Sequence, residues 1–174
     1  VMAEGSDQVS ALRRALFVDP RVHVYCVLDG ASVPKLRKRL AETGPPHYCL
    51  FRGELSPDMA EVAPYVVELG GEEALTDWIL RDGFGRHWGI FAQSDADLRT
   101  LRTHFRNLLT VRDPEGKELH FRYYDPRVFR VFLPTCTPGQ LAEMFGPVTR
   151  YLAECPKGED EHDEFELVVF DAPR

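Results

Sequence analysis

The stretch LTVRDPEGKELHFRYY, residues 109–124, decides the fold class of this sequence. Two apolar runs, 109–112 and 118–124, flank Asp113–Lys117, in which proline and glycine occupy turn positions. Strand-forming residues on both sides of such a turn predict a β-hairpin. A hairpin among alternating strands and helices predicts an α/β or α+β protein, with a mixed β-sheet and helices packed on its faces.

Outward from the hairpin, five short segments rich in β-branched and aromatic residues predict further strands. These segments are 22–28, 47–51, 64–69, 87–93 and 165–170. Apolar residues at three- and four-residue spacing predict helices between the strands. The predicted helices cover 7–17, 33–43, 72–82, 95–109, 126–133 and 138–145.

Capping residues support several of these helices. We expect Ser6 or Asp7 to cap the first helix and Ser32 to cap the second. Ser94 and Asp97 resemble a capping box at the start of helix 95–109. Asp125 is expected to cap the short helix that begins at Pro126.

Length and composition restrict the class of protein. A chain of 174 residues predicts one domain, and its 44% hydrophobic and 28% charged content exclude disordered, collagen-like and coiled-coil proteins. No apolar run is long enough to cross a bilayer, and the N-terminus has no secretory pattern. We therefore expect a cytoplasmic protein whose four cysteines are reduced thiols. A net charge of −7 argues against general nucleic-acid binding.

Motifs of catalysis and metal binding are weak. Ser32 follows a strand, but Pro34 occupies the second glycine position of a G-x-S-x-G nucleophile elbow. The loop GFGRHWG at 83–89 lacks the dinucleotide-binding spacing and follows a predicted helix. Glu161-His162-Asp163 lies in an acidic loop that we do not expect to be a preorganised metal site. The sequence predicts no catalytic residue, no metal and no cofactor.

The predicted helix 95–109 shows the clearest separation of apolar and charged residues in the sequence. Arginine side chains form a stripe beside its apolar face, and this arginine stripe consists of Arg99, Arg102 and Arg106. Such a stripe is typical of a solvated face, and it also suits docking of an acidic partner.

The segment HFRYYDPRVFR, residues 120–130, combines aromatic side chains, arginines and one carboxylate. If the strand continues to residue 124, Phe121 and Tyr123 share one face and Arg122 and Tyr124 the other. Arg127 and Arg130 share a helix face, from which they can pair with Asp125 or another carboxylate. We interpret the segment as a braced corner, and the alternative is a binding or catalytic corner. Its candidate partner-binding residues are Tyr124, Asp125, Arg127 and Arg130.

The same segment carries a family resemblance. The run FRYYDPRV at 121–128 resembles the signature of the type VI secretion adaptor-chaperone family, catalogued as domain of unknown function 4123. Further similar pieces follow in order and also precede it along the chain. They are LP at 133–134, QL at 140–141 and FGP at 145–147, with LDGA at 28–31, LFRG at 50–53, PYVVEL at 64–69 and WG at 88–89 upstream.

This resemblance implies a non-enzymatic bacterial adaptor that binds a toxic effector protein and assists its loading onto the VgrG spike protein. It implies no catalytic residues and no cofactor. It divides the chain into an adaptor domain, 1–155, and an acidic loop with a terminal strand, 156–174. Family members commonly continue into a C-terminal lobe, so the chain is expected to be either a short member or a truncated one. The alternative function is a small hydrolase, or a phosphate- or sugar-binding module that uses the corner from Asp125 to Arg130.

Overall fold

A computed structural model describes residues 2–158 and 164–173. Helices and strands alternate through the first two thirds of the chain, and two paired strands follow the last helix. In chain order they are α1 Met2–Leu16, β1 His23–Asp29, α2 Leu36–Thr43, β2 His47–Cys49, α3 Pro57–Val62, β3 Pro64–Leu69, α4 Ala74–Trp78, β4 Gly89–Ser94, α5 Leu98–Leu108, β5 Thr110–Arg112, β6 Glu118–His120, α6 Pro126–Phe132, α7 Pro138–Phe145, β7 Arg150–Pro156 and β8 Phe165–Asp171. A π-helical turn, Ile79–Gly83, extends α4, and a 3₁₀ turn, Leu133–Thr135, extends α6.

In the described residues, six strands form the main sheet in the order β2-β3-β1-β4-β7-β8, and β5 and β6 form a separate hairpin. The α+β class is therefore confirmed, and so is the hairpin within 109–124. The sheet is not mixed, because every strand pair in the described residues is antiparallel. β1 and β2 run in the same direction, as do β3 and β4, but a strand of opposite direction lies between the members of each pair.

The sheet separates two hydrophobic layers. Alternate residues of the central strand β1 point to opposite layers, as the pleat requires. α1, α2 and α4 cover one face, and α5, α6 and α7 cover the other. Their fully buried anchors include Leu16, Leu36 and Leu75 on the first face and Leu101, Phe105 and Phe129 on the second. Full burial of each such side chain contributes about 1.5–3 kcal/mol to folding.

Several predicted caps differ from the structure. α1 begins at Met2, so the predicted caps Ser6 and Asp7 lie inside the helix. α2 begins after Lys35, which adopts a left-handed backbone conformation, and the predicted cap Ser32 lies before it. Ser94 ends β4 and donates to the carbonyl of Pro147, so Asp97 alone caps α5 by accepting from the Thr100 N–H.

Two elements were not predicted. α3 is a six-residue helix with no buried residue, so it shows no apolar periodicity. β7 follows α7 and occupies an inner position of the sheet between β4 and β8. β8, predicted as 165–170, pairs with β7 along its whole length. Residues 159–163 lie outside the described residues. They include the core of the predicted acidic loop and the Glu161-His162-Asp163 cluster that was weighed as a metal site.

Within those residues, no helix combines the length and the apolar character that a membrane crossing needs.

Candidate functional site

Asp125 caps α6, as predicted. Its Oδ1 accepts a hydrogen bond from the Arg127 N–H at 3.0 Å. The guanidinium of Arg127 bonds the same carboxylate twice, from Nε to Oδ1 at 3.0 Å and from Nη2 to Oδ2 at 2.8 Å. Burial opposes ionisation of Asp125, but the bonds from Arg127 outweigh it and hold the pKa of Asp125 below its ordinary value.

A second carboxylate, Asp29, lies at the end of β1 and is buried. The Nη2 of Arg122 donates to its Oδ2 at 2.5 Å. The Ala31 N–H and the Ser32 hydroxyl also donate to this carboxylate, at 3.0 and 2.8 Å. The hydroxyl of Ser32 therefore binds a carboxylate instead of capping a helix. The sequence places Asp29 in the LDGA stretch without a role of its own, although an Asp two and three residues before these donors is typical of a local side-chain turn.

We call Asp29, Arg122, Tyr124, Asp125 and Arg127 the arginine–carboxylate corner. Its two carboxylates are buried, whereas the side chains of Arg122 and Arg127 are 46% and 55% exposed. Partial burial of Arg122 opposes its charge, but the carboxylate of Asp29 raises its pKa above the ordinary value. The corner thus presents two guanidinium groups to solvent on anchored side chains.

The guanidinium of Arg122 lies 6.0 Å from the centre of the Tyr124 ring. Tyr124 is 3% exposed, so its side chain supports the corner and offers a partner little surface. Burial and the charge of Asp29 raise the pKa of Tyr124 to about 12. Its hydroxyl lies 3.2 Å from Nε2 of His120. The predicted alternation of strand faces is wrong here, because β6 ends at His120 and both Tyr123 and Tyr124 are buried.

Arg130 does not join the corner. Its Nε donates to the carbonyl of Pro126 at 3.1 Å, and its Nη1 lies 3.1 Å from the sulfur of Cys155. Among the described contacts Arg130 pairs neither with Asp125, both of whose oxygens bond Arg127, nor with another carboxylate. Arg130 instead braces α6 against β7.

The three side chains of the arginine stripe on α5 differ in their contacts and exposure. Arg99 is exposed. The guanidinium of Arg102 lies over the Tyr48 ring at 4.7 Å. Arg106 donates to the carbonyls of Cys49 and Phe51 at 2.8 and 3.2 Å, and its partial burial lowers its pKa. Arg106 therefore holds β2 and the following loop against α5, and Arg99 is the member most available to a partner.

The loop GFGRHWG binds an internal anion. The N–H groups of Gly85 and His87 donate to the carboxylate of Glu154 at 2.6 and 2.8 Å. Glu154 lies in β7 and is buried. The loop geometry is therefore explained by a carboxylate of the chain, without a phosphate ligand.

A basic groove of about 470 Å³ lies between α2 and the turn after α4. Lys35, Lys38 and Arg86 line it together with Trp78, and two carboxylates, Glu42 and Asp82, also lie along it. The guanidinium of Arg39 lies over the Trp78 ring at 4.8 Å. This surface was not predicted, although the run KLRKR at 35–39 concentrates four cations in an acidic chain.

The described residues show neither a cluster of metal ligands nor a disulfide. They contain no group of three histidine, cysteine or carboxylate side chains arranged to hold a metal ion. All four cysteines are free thiols, and Cys26 is buried in the sheet.

Comparison with known proteins places the chain in a family. Residues 24–143, which span β1 to α7, match the family described as Domain of unknown function (DUF4123). This range contains the whole arginine–carboxylate corner and the arginine stripe. No curated protein and no solved structure matches the chain. Because the match covers more than half of the sequence, the chain belongs to the Domain of unknown function (DUF4123) family.

Proposed function

We propose that this protein is a bacterial cytoplasmic adaptor that binds a type VI secretion effector protein and assists its loading onto the VgrG spike, without catalysing a reaction. The family resemblance suggests the pathway, and the arginine–carboxylate corner carries the argument for protein binding. Arg122 and Arg127 are each anchored by a buried carboxylate and half exposed.

Anchored arginines suit a protein interface for a physical reason. A long side chain that is already ordered loses less conformational entropy when a partner binds. Arginine is also enriched among the residues that contribute most to binding at interfaces. The remaining guanidinium N–H groups of Arg122 and Arg127 can donate to carboxylates or backbone carbonyls of a partner.

The alternative function is hydrolysis, or binding of a phosphate or sugar, at the corner. Hydrolysis needs a free acid, base or nucleophile, and phosphate binding needs an anion held by the two guanidiniums. Asp125 and Ser32 are both engaged in hydrogen bonds within the chain. We therefore favour protein binding. Titration with inorganic phosphate tests the anion version directly, because binding would stabilise the fold against heat.

The function is tested by expressing the tagged chain with the products of its neighbouring genes and identifying proteins that elute in stoichiometric amounts. The decisive variant is Arg127→Gln, and the matched control is Arg21→Gln. Arg21 forms the same pattern with Asp19, donating from N and Nε to Oδ1 and from Nη2 to Oδ2, far away along the chain.

We expect a complex with an effector or spike protein that Arg127→Gln weakens about tenfold, equal to about 1.4 kcal/mol. Arg21→Gln should leave the affinity unchanged. If no neighbouring product binds the parent chain, the proposed function is wrong. If both variants bind like the parent, the corner is not the interface.

A further inference from the structure

Within the part of the chain that the structure describes, β8 is an edge strand of the main sheet, paired on one side. Within the described residues its neighbour is β7, with no strand beyond it. The Lys157 N–H donates to the Glu164 carbonyl, and the Ala172 N–H donates to the Thr149 carbonyl. Hydrogen-bonding direction alternates along an antiparallel strand, so the even-numbered residues bond β7. The outward backbone groups belong to Phe165, Leu167, Val169 and Asp171.

A cleft borders this edge on each face of the sheet. On one face, a cleft of about 560 Å³ lies between α1 and β8, lined by Leu12, Phe84 and Leu167. On the other face, a cleft of about 340 Å³ lies beside α7, lined by Leu141 and Phe145 and by Phe170 of β8. Successive side chains of a strand point to opposite faces. A strand added beside β8 would therefore place alternate side chains toward the two clefts.

The chemistry of the edge limits its occupant. Unpaired N–H and C=O groups in a row are satisfied by another extended segment, whereas a helix has already used its own backbone groups. The charged side chains of β8, Glu166 and Asp171, are both acidic. Asp171 is paired with Arg150. Glu164 and Glu166 both interact with one cation, Lys157, so this end of β8 keeps a net negative charge. A second copy of β8 would bring acidic strands together, so a basic partner segment is the better complement.

We propose that the β8 edge binds an extended segment of a partner protein, with alternating apolar residues and a flanking basic residue, as an added strand of the sheet. This inference rests on the proposed adaptor function and names the form in which a protein partner is held. Main-chain hydrogen bonds would provide affinity, and the two clefts would select the side chains.

The test uses Val169, which is 45% exposed and whose N–H points away from β7. Val169→Pro removes that outward donor and breaks no bond to β7, and proline is tolerated at such edge positions. Val168 is already extended, as a residue before proline must be. The matched control, Val169→Thr, keeps the branched shape and the N–H.

Both variants are first melted to show that they fold like the parent chain. Each is then expressed with the products of the neighbouring genes, and the affinity of the resulting complex is measured. We expect Val169→Pro to lose at least tenfold in affinity and Val169→Thr to retain it. Hydrogen exchange at the amides of Leu167, Val169 and Asp171 should slow in the parent complex.

Four results would overturn the inference. A complex that Val169→Pro leaves unchanged, with no protection of these amides, rejects the strand site while the adaptor function stands. A parent chain that is a dimer alone, and becomes a monomer on Val169→Pro, assigns the edge to a second copy. If Val169→Pro fails to fold, hydrogen exchange in the parent complex tests the strand site instead. Amides of Leu167, Val169 and Asp171 that stay unprotected in that complex reject the site. A parent chain that binds no neighbouring product rejects the adaptor function and this inference with it.

Discussion

Arg122 bonds the carboxylate of Asp29 at 2.5 Å, although 93 residues separate them in the chain. Asp29 is the last residue of β1, the central strand, and Arg122 lies between the hairpin and α6. This ion pair therefore connects the centre of the sheet to the segment that gives the family resemblance. It also fixes the direction of one of the two exposed guanidiniums.

A double-mutant cycle measures this connection. Asp29→Asn replaces one acceptor oxygen of the buried carboxylate with an NH₂ group, so the donors that bond this carboxylate are no longer all satisfied. This change should cost about 1–3 kcal/mol of unfolding free energy. Arg122→Gln should cost less, because its side chain is half exposed. Residues in direct contact couple by about 0.5–3 kcal/mol, and we expect a value in that range from urea unfolding of the two single variants and the double variant. Additive effects would show that the pair does not hold the corner.

Asp125→Ala removes the cap of α6 and should destabilise the protein by about 0.5–2 kcal/mol at neutral pH. The pKa of Asp125 in the folded chain lies below its ordinary value of 3.8. Its contribution is therefore complete above the unfolded pKa and is lost as the pH falls through the folded pKa. Parent and variant should converge in stability once the pH has fallen below the folded pKa of Asp125. A variant that melts like the parent at pH 7 but loses its partner would show that Asp125 acts in binding instead.

Local sequence patterns predicted the elements whose cause is local. The hairpin of 109–124, α7 over 138–145 and the Asp125 cap follow from turn residues, periodicity and capping. The partner-binding roles of Arg99, Arg102, Arg106, Tyr124, Asp125, Arg127 and Arg130 stay predictions. The structure shows that Arg106 and Arg130 also brace the fold.

The missed features have distant causes. β7 contains Glu154, and a carboxylate in the middle of a strand weakens the apolar pattern. Its charge is accommodated by N–H groups 67 and 69 residues away along the chain, which no local window includes. The role of Asp29 was missed for the same reason, since its ion-pair partner, Arg122, lies far along the sequence.

Gly89→Ala tests how closely β4 approaches β1. A Cβ atom at Gly89 would lie 2.0 Å from the carbonyl oxygen of Val27, a backbone atom that cannot rotate away. We expect a loss of about 1–3 kcal/mol in unfolding free energy, the usual cost of overpacking. Gly139→Ala is the matched control, since nothing lies within 4 Å of its Cβ position in α7. Equal stability of Gly89→Ala and the parent would contradict the strand register.

His104 should make the fold sensitive to mild acid. Burial lowers its pKa below the ordinary value of 6.5, although a hydrogen bond to the Met144 carbonyl opposes this shift. A lowered folded pKa means that stability is complete above about pH 6.5 and falls as the pH decreases through the folded pKa. His104→Gln should reduce the loss of unfolding free energy between pH 7.5 and 5.5. Burial also lowers the pKa of His120. His120 is therefore replaced by Gln in both proteins that are compared, so that its titration does not contribute to the difference. An unchanged pH dependence would show that His104 does not titrate in this way.

Charge reversal in the arginine stripe should separate binding from stability. Arg99→Glu changes an exposed side chain, so it should leave the melting temperature unchanged and weaken binding of an acidic partner. Arg106→Glu removes the hydrogen bonds to the Cys49 and Phe51 carbonyls and should cost about 1–3 kcal/mol of unfolding free energy. Arg102→Glu removes the cation–π contact with Tyr48, and its loss of unfolding free energy should lie between those of Arg99→Glu and Arg106→Glu. Melting curves and affinities for the co-purified partner are measured for all three. If Arg99→Glu and Arg102→Glu both bind like the parent, the stripe is not a docking surface, and any loss in Arg106→Glu reflects the fold.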